Sequence, residues 1–179
     1  MAASNFILGS TTAQIAALTT KQITGLSTDD FGALTTAQMQ ALTTANLVVL
    51  SSDQLQSLST AAVGALRTSQ VQALTTDEMV ALTTAQIGVL SSGALAALST
   101  KQLAAIETTD IQALSTYQVS NLSTTFLQSL TTDQIAAIET TDIRALTTGQ
   151  LGSIGTSTVA ALSTDQIQAL STSQLGALG

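Results

Sequence analysis

Apolar and polar residues recur along this chain with a period of eight. When Thr11 is taken as position one of an eight-residue repeat, or octad, residues 11–178 divide into 21 octads without insertion or deletion. Position five is apolar in every octad, beginning with Ile15 and Ile23, and position eight is Leu except in three octads that carry Ile. Position two is always Ser or Thr. A repeat of this regularity predicts that similar units stack on one another.

The spacing of the apolar residues favours short helices. In a flat strand, residues three or five apart point to opposite faces, so Ile15, Leu18 and Ile23 would not share a buried face. In one continuous helix, eight residues turn through about 800°, so the apolar stripe would drift by about 80° per octad. In a short helix, Ile15 and Leu18 are neighbours on one face. A β-solenoid and a helical bundle are the alternatives.

Each octad also opens with the signature of a helix start. In the segment 18–23, Thr19 can act as the N-cap, and Gln22 can bond back to the Thr19 amide in a capping box. Leu18 and Ile23 then stand where a hydrophobic staple places its two residues. Eight residues are therefore one short helix together with its cap.

The hydroxyl at position two leaves one question open. Position one carries Arg67, Glu107, Glu139 and Gly155 in four octads, whereas position two never varies beyond Ser and Thr. Either the cap shifts by one residue in some octads, or the position-two hydroxyls bond to neighbouring repeats.

Alternate octads differ, which doubles the repeat unit to 16 residues. Position four is always Gln in the even octads, counted from Thr19, whereas in the odd octads it ranges from Gln14 and Asp30 to Phe126. We predict that these glutamines form a structural ladder along the repeats, namely Gln22, Gln38, Gln54, Gln70, Gln86, Gln102, Gln118, Gln134, Gln150 and Gln166.

A single octad has too little apolar surface to bury, so its stability must come from neighbouring octads on both sides. We predict an all-α, two-layer solenoid of short capped helices with a 16-residue unit of two helices in each coil. Four octads per superhelical turn would satisfy the same unit. The predicted domains are a degenerate octad or leader at 1–10 and a single repeat solenoid at 11–179.

Composition argues against most kinds of chemistry. The chain has no His and no Cys, so the commonest general base, the thiol nucleophile and the soft metal ligands are missing. Its four cations, Lys21, Arg67, Lys101 and Arg144, lie far apart, and the net charge is −7, so a nucleic-acid surface is not expected. Ser/Thr pairs interrupt every apolar run, so membrane insertion is not expected either.

No set of residues resembles an active site or a metal site. Ser and Thr lack a positioned base, and acids such as Asp29, Asp30 and Glu107 suit the first turn of a helix better than a calcium loop. We therefore expect no catalytic residues, no cofactor and no metal, and hence no enzyme. The rows of Gln and hydroxyl groups could instead present a surface to glycan, ice or peptide.

The ends of the repeat array suggest self-association. The terminal octads should expose core positions, with Leu175 and Leu178 at one end and Ile7, Leu8 and Ile15 at the other. Because the octads resemble one another, one end should fit the other, and such a head-to-tail contact propagates into fibres. The chain itself is thus its expected partner.

The octad [ST]-T-x-Q-[ILV]-x-A-L resembles octapeptide-repeat α-solenoid tracts in long bacterial surface or secreted proteins of the adhesin type. The resemblance covers residues 11–178 and rests on the repeat alone. It implies a spacer or stalk and an extracellular or cell-surface setting. The first ten residues lack the charged start and long apolar core of a signal peptide, so none is expected in this segment.

Overall fold

The structure is a computed structural model that describes residues 7–178. Over that range it contains α-helices, one 3-10 turn and no strand. The predicted all-α solenoid of short capped helices, one per octad, is confirmed. The predicted leader at 1–10 lies partly outside the described residues, which include only its last four.

One helix occupies each octad, after an initial 3-10 turn, η1 (Ile7–Gly9). The helices are α1 (Thr12–Ala16), α2 (Thr20–Thr24), α3 (Thr28–Gly32), α4 (Thr36–Ala41), α5 (Thr44–Leu47), α6 (Ser52–Ser57), α7 (Thr60–Gly64), α8 (Thr68–Ala73), α9 (Thr76–Ala81), α10 (Thr84–Ile87), α11 (Ser92–Ala96), α12 (Thr100–Ala104), α13 (Thr108–Gln112), α14 (Thr116–Ser120), α15 (Thr124–Ser129), α16 (Thr132–Ala137), α17 (Thr140–Ile143), α18 (Thr148–Leu151), α19 (Thr156–Ala160), α20 (Thr164–Ala169) and α21 (Thr172–Leu175).

Capping boxes start most of these helices. At α2 the Thr19 hydroxyl accepts a bond of 3.3 Å from the backbone N–H of Gln22, and the Gln22 Oε1 accepts one of 2.9 Å from the backbone N–H of Thr19. Thr19 itself is extended, with φ −76° and ψ 157°. This reciprocal pair satisfies two backbone donors that the first turn of a helix leaves without partners.

The turns between helices need no left-handed residue. Leu42, between α4 and α5, is extended with φ −59° and ψ 136°, and the next N-cap, Thr43, is extended as well. No residue of the described range has a positive φ. Glycine therefore has no required place in the turn, which explains why the glycines of this chain do not follow the octad.

The cap remains at position one in every octad. Arg67, Glu107, Glu139 and Gly155 are N-caps without a side-chain cap bond, yet their helices begin at position two as the others do. The cap therefore does not shift. The phase of the octad is held instead by the buried side chains at positions five and eight.

The chain forms two compact units, one extending to Leu90 and the other beginning at Ser91. In the first unit α1 packs against α4, α4 against α7, and α7 against α10. In the second unit α11 packs against α14, α14 against α17, and α17 against α20. Within each unit, helices therefore pack against the helix three octads further on.

This packing corrects the predicted coil. Side-chain amides described below bond to carbonyls 28 residues earlier in the chain, a span of three and a half octads. A coil within each unit thus holds between three and four octads. It is neither the predicted two-layer coil of two helices nor the alternative coil of four octads.

Positions five and eight line the core of each unit. Ile23, Met39 and Val71 at position five are fully buried, and Leu34 and Leu74 at position eight are 4% exposed. Burial of these two apolar side chains per octad is the main source of stability that the repeat supplies.

Candidate functional site

The best-defined polar feature of the structure is the side chain at position four. In Gln38 the Oε1 accepts from the backbone N–H and the hydroxyl of Thr35, at 2.9 and 3.0 Å. The Nε2 donates to the backbone carbonyls of Ile7 and Ser10, at 2.9 and 2.8 Å. All the bonding capacity of this amide is therefore used, half within its own octad and half across to the preceding coil.

The same arrangement recurs, and we call it the amide ladder: position-four amides that donate to the position-eight carbonyl 28 residues earlier. In the even octads it includes Gln54 to Leu26, Gln70 to Leu42, Gln86 to Leu58, Gln134 to Ile106, Gln150 to Leu122 and Gln166 to Ile138, at 2.7–2.9 Å. Gln102 and Gln118 complete capping boxes in their own octads.

The position-eight carbonyl explains why the ladder exists. It belongs to the extended residue between two helices, so it has no acceptor role in the helical bonding pattern. A buried carbonyl without a donor is costly. The position-four glutamine 28 residues later in the chain supplies that donor. This pairing was not predictable from the sequence, because the number of residues in one coil was unknown.

The two ends of each ladder bond are 28 residues apart and lie in octads whose numbers differ by four, so even octads bond only to even ones. This parity gives the 16-residue sequence unit a physical meaning, because one ladder is uniformly Gln and the other is mixed. In the odd ladder Asn46 donates to Leu18 at 3.0 Å and Gln174 to Leu146 at 2.8 Å. Phe126 occupies the same position and is 1% exposed.

Acids at position four of the odd octads have other partners. The buried Asp142 accepts a bond of 2.6 Å from the hydroxyl of Thr116, a position-two residue. The Oδ1 of Asp30 is buried without a hydrogen-bond partner. Within the described residues no group of three or more acidic, His or Cys side chains could hold a metal ion.

A second set of contacts, which sequence reasoning missed, connects position six to position seven of the octad three further on. Gln40 donates to the carbonyl of Ala65 at 2.9 Å, and Gln128 donates to that of Ser153 at 2.8 Å. Gly64 stands at the same position, and a Cβ there would lie 3.2 Å from the carbonyl oxygen of Val89. The signal lay in position six, where Gln recurs in some octads and Gly or Ala in many of the others.

Self-association residues predicted from the sequence fall into two groups. Leu8 is 63% exposed and Leu175 43% exposed, and Leu178 is half-buried. Ile7 and Ile15, however, are 1% and 0% exposed, so the prediction that they face outward is wrong. Position five points into the core of its own coil, where α3 packs against η1 and α4 against α1.

The last coil of the second unit is less covered than the interior coils. Val159, Leu162 and Ile167 are half-buried there, although the same octad positions are buried in the interior of both units. We call Val159, Leu162, Ile167, Leu175 and Leu178 together the C-terminal face.

The first unit presents a different surface at its first coil. Gln14 and Gln22 have exposed side chains, unlike every later position-four glutamine, and each completes only its own capping box. We call Leu8, Gln14 and Gln22 together the N-terminal face.

Stacked short helices, an eight-residue repeat and a regular ladder between coils define a helical solenoid repeat protein. The particular family is the ALTTAQ repeat, whose matches at 11–44, 25–60, 47–84, 103–137 and 135–172 take in most of the chain, and the chain belongs to it. No curated protein matches the sequence. None of the described helices is both long enough and apolar enough to cross a lipid bilayer.

Proposed function

We propose that this structural repeat protein is a spacer or stalk segment whose molecules stack end to end. One observation carries the proposal: the C-terminal face exposes apolar positions that interior coils bury. Val159 and Ile167 are half-buried, whereas the equivalent Val63 and Val71 are fully buried. Another coil laid on this face would remove that apolar surface from water.

A second copy can supply that coil. The N-terminal face belongs to the same repeat, so its backbone presents the same spacing of helices as an interior coil. The contact joins two different surfaces and is therefore heterologous, and it propagates into a filament unless the rotation between copies closes a ring. The net charge of −7 over 179 residues offers little repulsion against stacking.

A spacer role also agrees with the chemistry of the surface. The ladder glutamines are occupied by structural bonds, and the chain contains no His and no Cys for acid–base or thiol chemistry. We propose a non-enzymatic protein of a bacterial cell surface or secreted assembly, a setting that rests on the resemblance to octapeptide stalk tracts.

Sedimentation velocity over a concentration series tests this proposal. Parent protein is expected to shift to faster-sedimenting species as its concentration rises, and Leu175→Lys with Leu178→Lys should abolish that shift. A matched control is Val48→Lys with Val80→Lys, since these valines are 41% and 52% exposed at position six and carry the same change in charge. The control should still assemble. A parent protein that sediments as a monomer at every concentration refutes end-to-end stacking.

Glycan binding is the second candidate, and a groove in the second unit favours it. The groove has a volume of about 610 Å³ and is lined by Arg144, Thr148, Gln168 and Gln174 among others. Thr148, the position-two residue of this lining, is exposed. A glycan array tests this role, with Arg144→Ala as the variant that should lose any signal, and a blank array counts against it.

A further inference from the structure

The amide ladder has unused donors on one face of the molecule and unused acceptors on another. We infer that the contact between copies is directional: Gln14 and Gln22 of one copy donate to the carbonyls of Leu162 and Leu170 of the next. The partner is a second copy of this chain in one orientation, N-terminal face on C-terminal face. This inference rests on the proposed stacking and specifies its chemistry.

The donors are on the N-terminal face. The Oε1 of Gln14 accepts from the backbone N–H of Thr11 at 2.8 Å, and that of Gln22 accepts from Thr19 at 2.9 Å. The Nε2 of each side chain has no acceptor among the described residues. Both side chains are exposed, so both amides can reach another molecule.

The acceptors are the backbone carbonyls of Leu162, on the C-terminal face, and of Leu170, in the same last coil. In interior coils the position-eight carbonyl accepts from the glutamine 28 residues later, as Leu26 does from Gln54 at 2.8 Å. No described side chain donates to the carbonyl of Leu162 or to that of Leu170. Their carbonyls therefore present the acceptor half of the ladder.

Spacing allows both bonds to form together. Gln14 and Gln22 are one octad apart, and so are Leu162 and Leu170, so a single register aligns both pairs. In that register η1 of the next copy follows α21 of the first copy at the spacing with which one octad follows another within the chain.

A third bond in the reverse direction fits the same register. Within the units position-six glutamines donate 25 residues forward, as Gln40 does to Ala65 and Gln128 to Ser153. The exposed Gln168 is also at position six, and the residue 25 positions ahead in the joined register is Ala17 of the next copy. The carbonyl of Ala17 accepts no bond from a described residue, so it can receive this amide.

Directionality follows from the distribution of donors and acceptors. Two N-terminal faces in contact would oppose amide donors to amide donors. Two C-terminal faces would bury the carbonyls of Leu162 and Leu170 without donors, at the cost of unsatisfied buried groups. Only the mixed pairing satisfies both sets.

Gln14→Glu with Gln22→Glu tests the donors while keeping the caps. A carboxylate preserves the capping box, as Glu78 does by accepting from the Thr75 N–H at 2.7 Å, but it cannot donate to a carbonyl. The control Ala13→Glu with Thr20→Glu places the same charge on neighbouring exposed positions. We expect the donor variant to raise the dissociation constant of stacking on the order of 30-fold, and the control to leave it within about threefold. Equal constants for the donor variant and the control overturn the inference.

Cross-linking tests the orientation, since the chain has no cysteine of its own. Gln168→Cys and Ala17→Cys place single thiols on exposed residues that the register brings together, because a Cβ at Gly64 would lie 3.7 Å from the Cβ of Val89 at the equivalent pair of the first unit. Mixing equal amounts of the two variants under mild oxidation should give several times more mixed disulfide than the two symmetrical ones combined, whereas random pairing would make these yields equal. Equal yields would overturn the directional contact while leaving stacking itself intact. Failure of the parent protein to assemble at all would instead remove the proposed function on which this inference rests.

Discussion

Interior and terminal coils have nearly the same sequence but very different burial. In the first unit Leu47, Leu55 and Val63 occupy position five of α5, α6 and α7, each of which packs against the helix three octads further on, and all three are buried. In the second unit Val159 and Ile167 occupy the same position of α19 and α20 and are only half-buried. Burial of an octad therefore depends on the helix three octads further on, and the octad alone does not determine it.

That dependence determines which octads contribute least to the stability of the fold. In a repeat protein each unit is stabilised by its own contacts and by its interfaces with adjacent units. The octads of α19, α20 and α21 lack one of those interfaces among the described residues. We therefore expect substitutions in the interior of the first unit to cost more than equivalent ones in the last coil.

The largest expected difference is at position eight. Leu82 is 4% exposed, so Leu82→Ala should lower the free energy of unfolding by about 2–4 kcal/mol through lost apolar burial and a residual cavity. Leu178→Ala makes the same change at a half-buried site and should cost less than about 1 kcal/mol. Urea melts followed by circular dichroism measure both. Equal costs would show that position eight is not a core position.

The ladder amide should show the next largest difference. Gln86 is 1% exposed and donates to the carbonyls of Leu55 and Leu58. Gln86→Met should cost about 1–3 kcal/mol, because the Leu58 carbonyl loses its donor, whereas that of Leu55 keeps the backbone N–H of Leu58. Gln22→Met removes a capping-box acceptor but no bond between coils, and it should cost less than about 1 kcal/mol.

The same melts measure this pair, in monomeric protein so that stacking does not contribute. A Gln22 variant as unstable as the Gln86 variant would mean that the glutamines act through their capping boxes alone. The bonds to the preceding coil would then add nothing measurable.

Local structure was predictable from the sequence because its causes lie within one octad. The capping box of Thr19 and Gln22 and the staple of Leu18 and Ile23 involve residues at most five apart, so their spacing identifies the helix and its start. Position eight as core follows from the same local pattern. These features do not depend on how the coils are arranged.

The coil was not predictable, because it depends on angles that the octad does not encode. Whether Gln54 bonds to its neighbour or to Leu26 is decided by the turn accumulated over three and a half octads. The alternation of position four between even and odd octads suggested a coil of two helices. The alternation instead distinguishes two ladders, one formed by the even octads and the other by the odd octads. The same missing coil length led to the wrong placement of Ile7 and Ile15.

N-cap residues should give a smaller contrast. The Thr83 hydroxyl accepts from the backbone N–H of Gln86 at 3.3 Å, so Thr83→Ala should cost about 1 kcal/mol. Arg67 caps α8 without a side-chain cap bond, so Arg67→Ala loses no cap. Its guanidinium does donate to the carbonyl of Gln40, an exposed contact whose loss should cost less than about 1 kcal/mol. Thermal melts compare the two, and a greater loss at Arg67 would contradict the capping argument.

Gly155 offers the smallest effect, in the least covered coil. This residue caps α19 with φ −76° and ψ 165°, a conformation that any residue adopts without strain, and a Cβ there would lie 4.0 Å from its nearest neighbour, the Ser157 hydroxyl. Gly155→Ser adds a hydroxyl that can accept from the backbone N–H of Thr158, and it should stabilise the protein by a few tenths of a kcal/mol, about 0.3–0.5. Gly155→Ala is the control, because it restricts the unfolded chain equally but supplies no acceptor. Hydrogen exchange at the Thr158 amide gives a local measurement: slower exchange in the Ser variant than in both parent and Ala variant is expected. Equal exchange in all three would show that coverage by a neighbouring coil, and not the cap, limits the stability of α19.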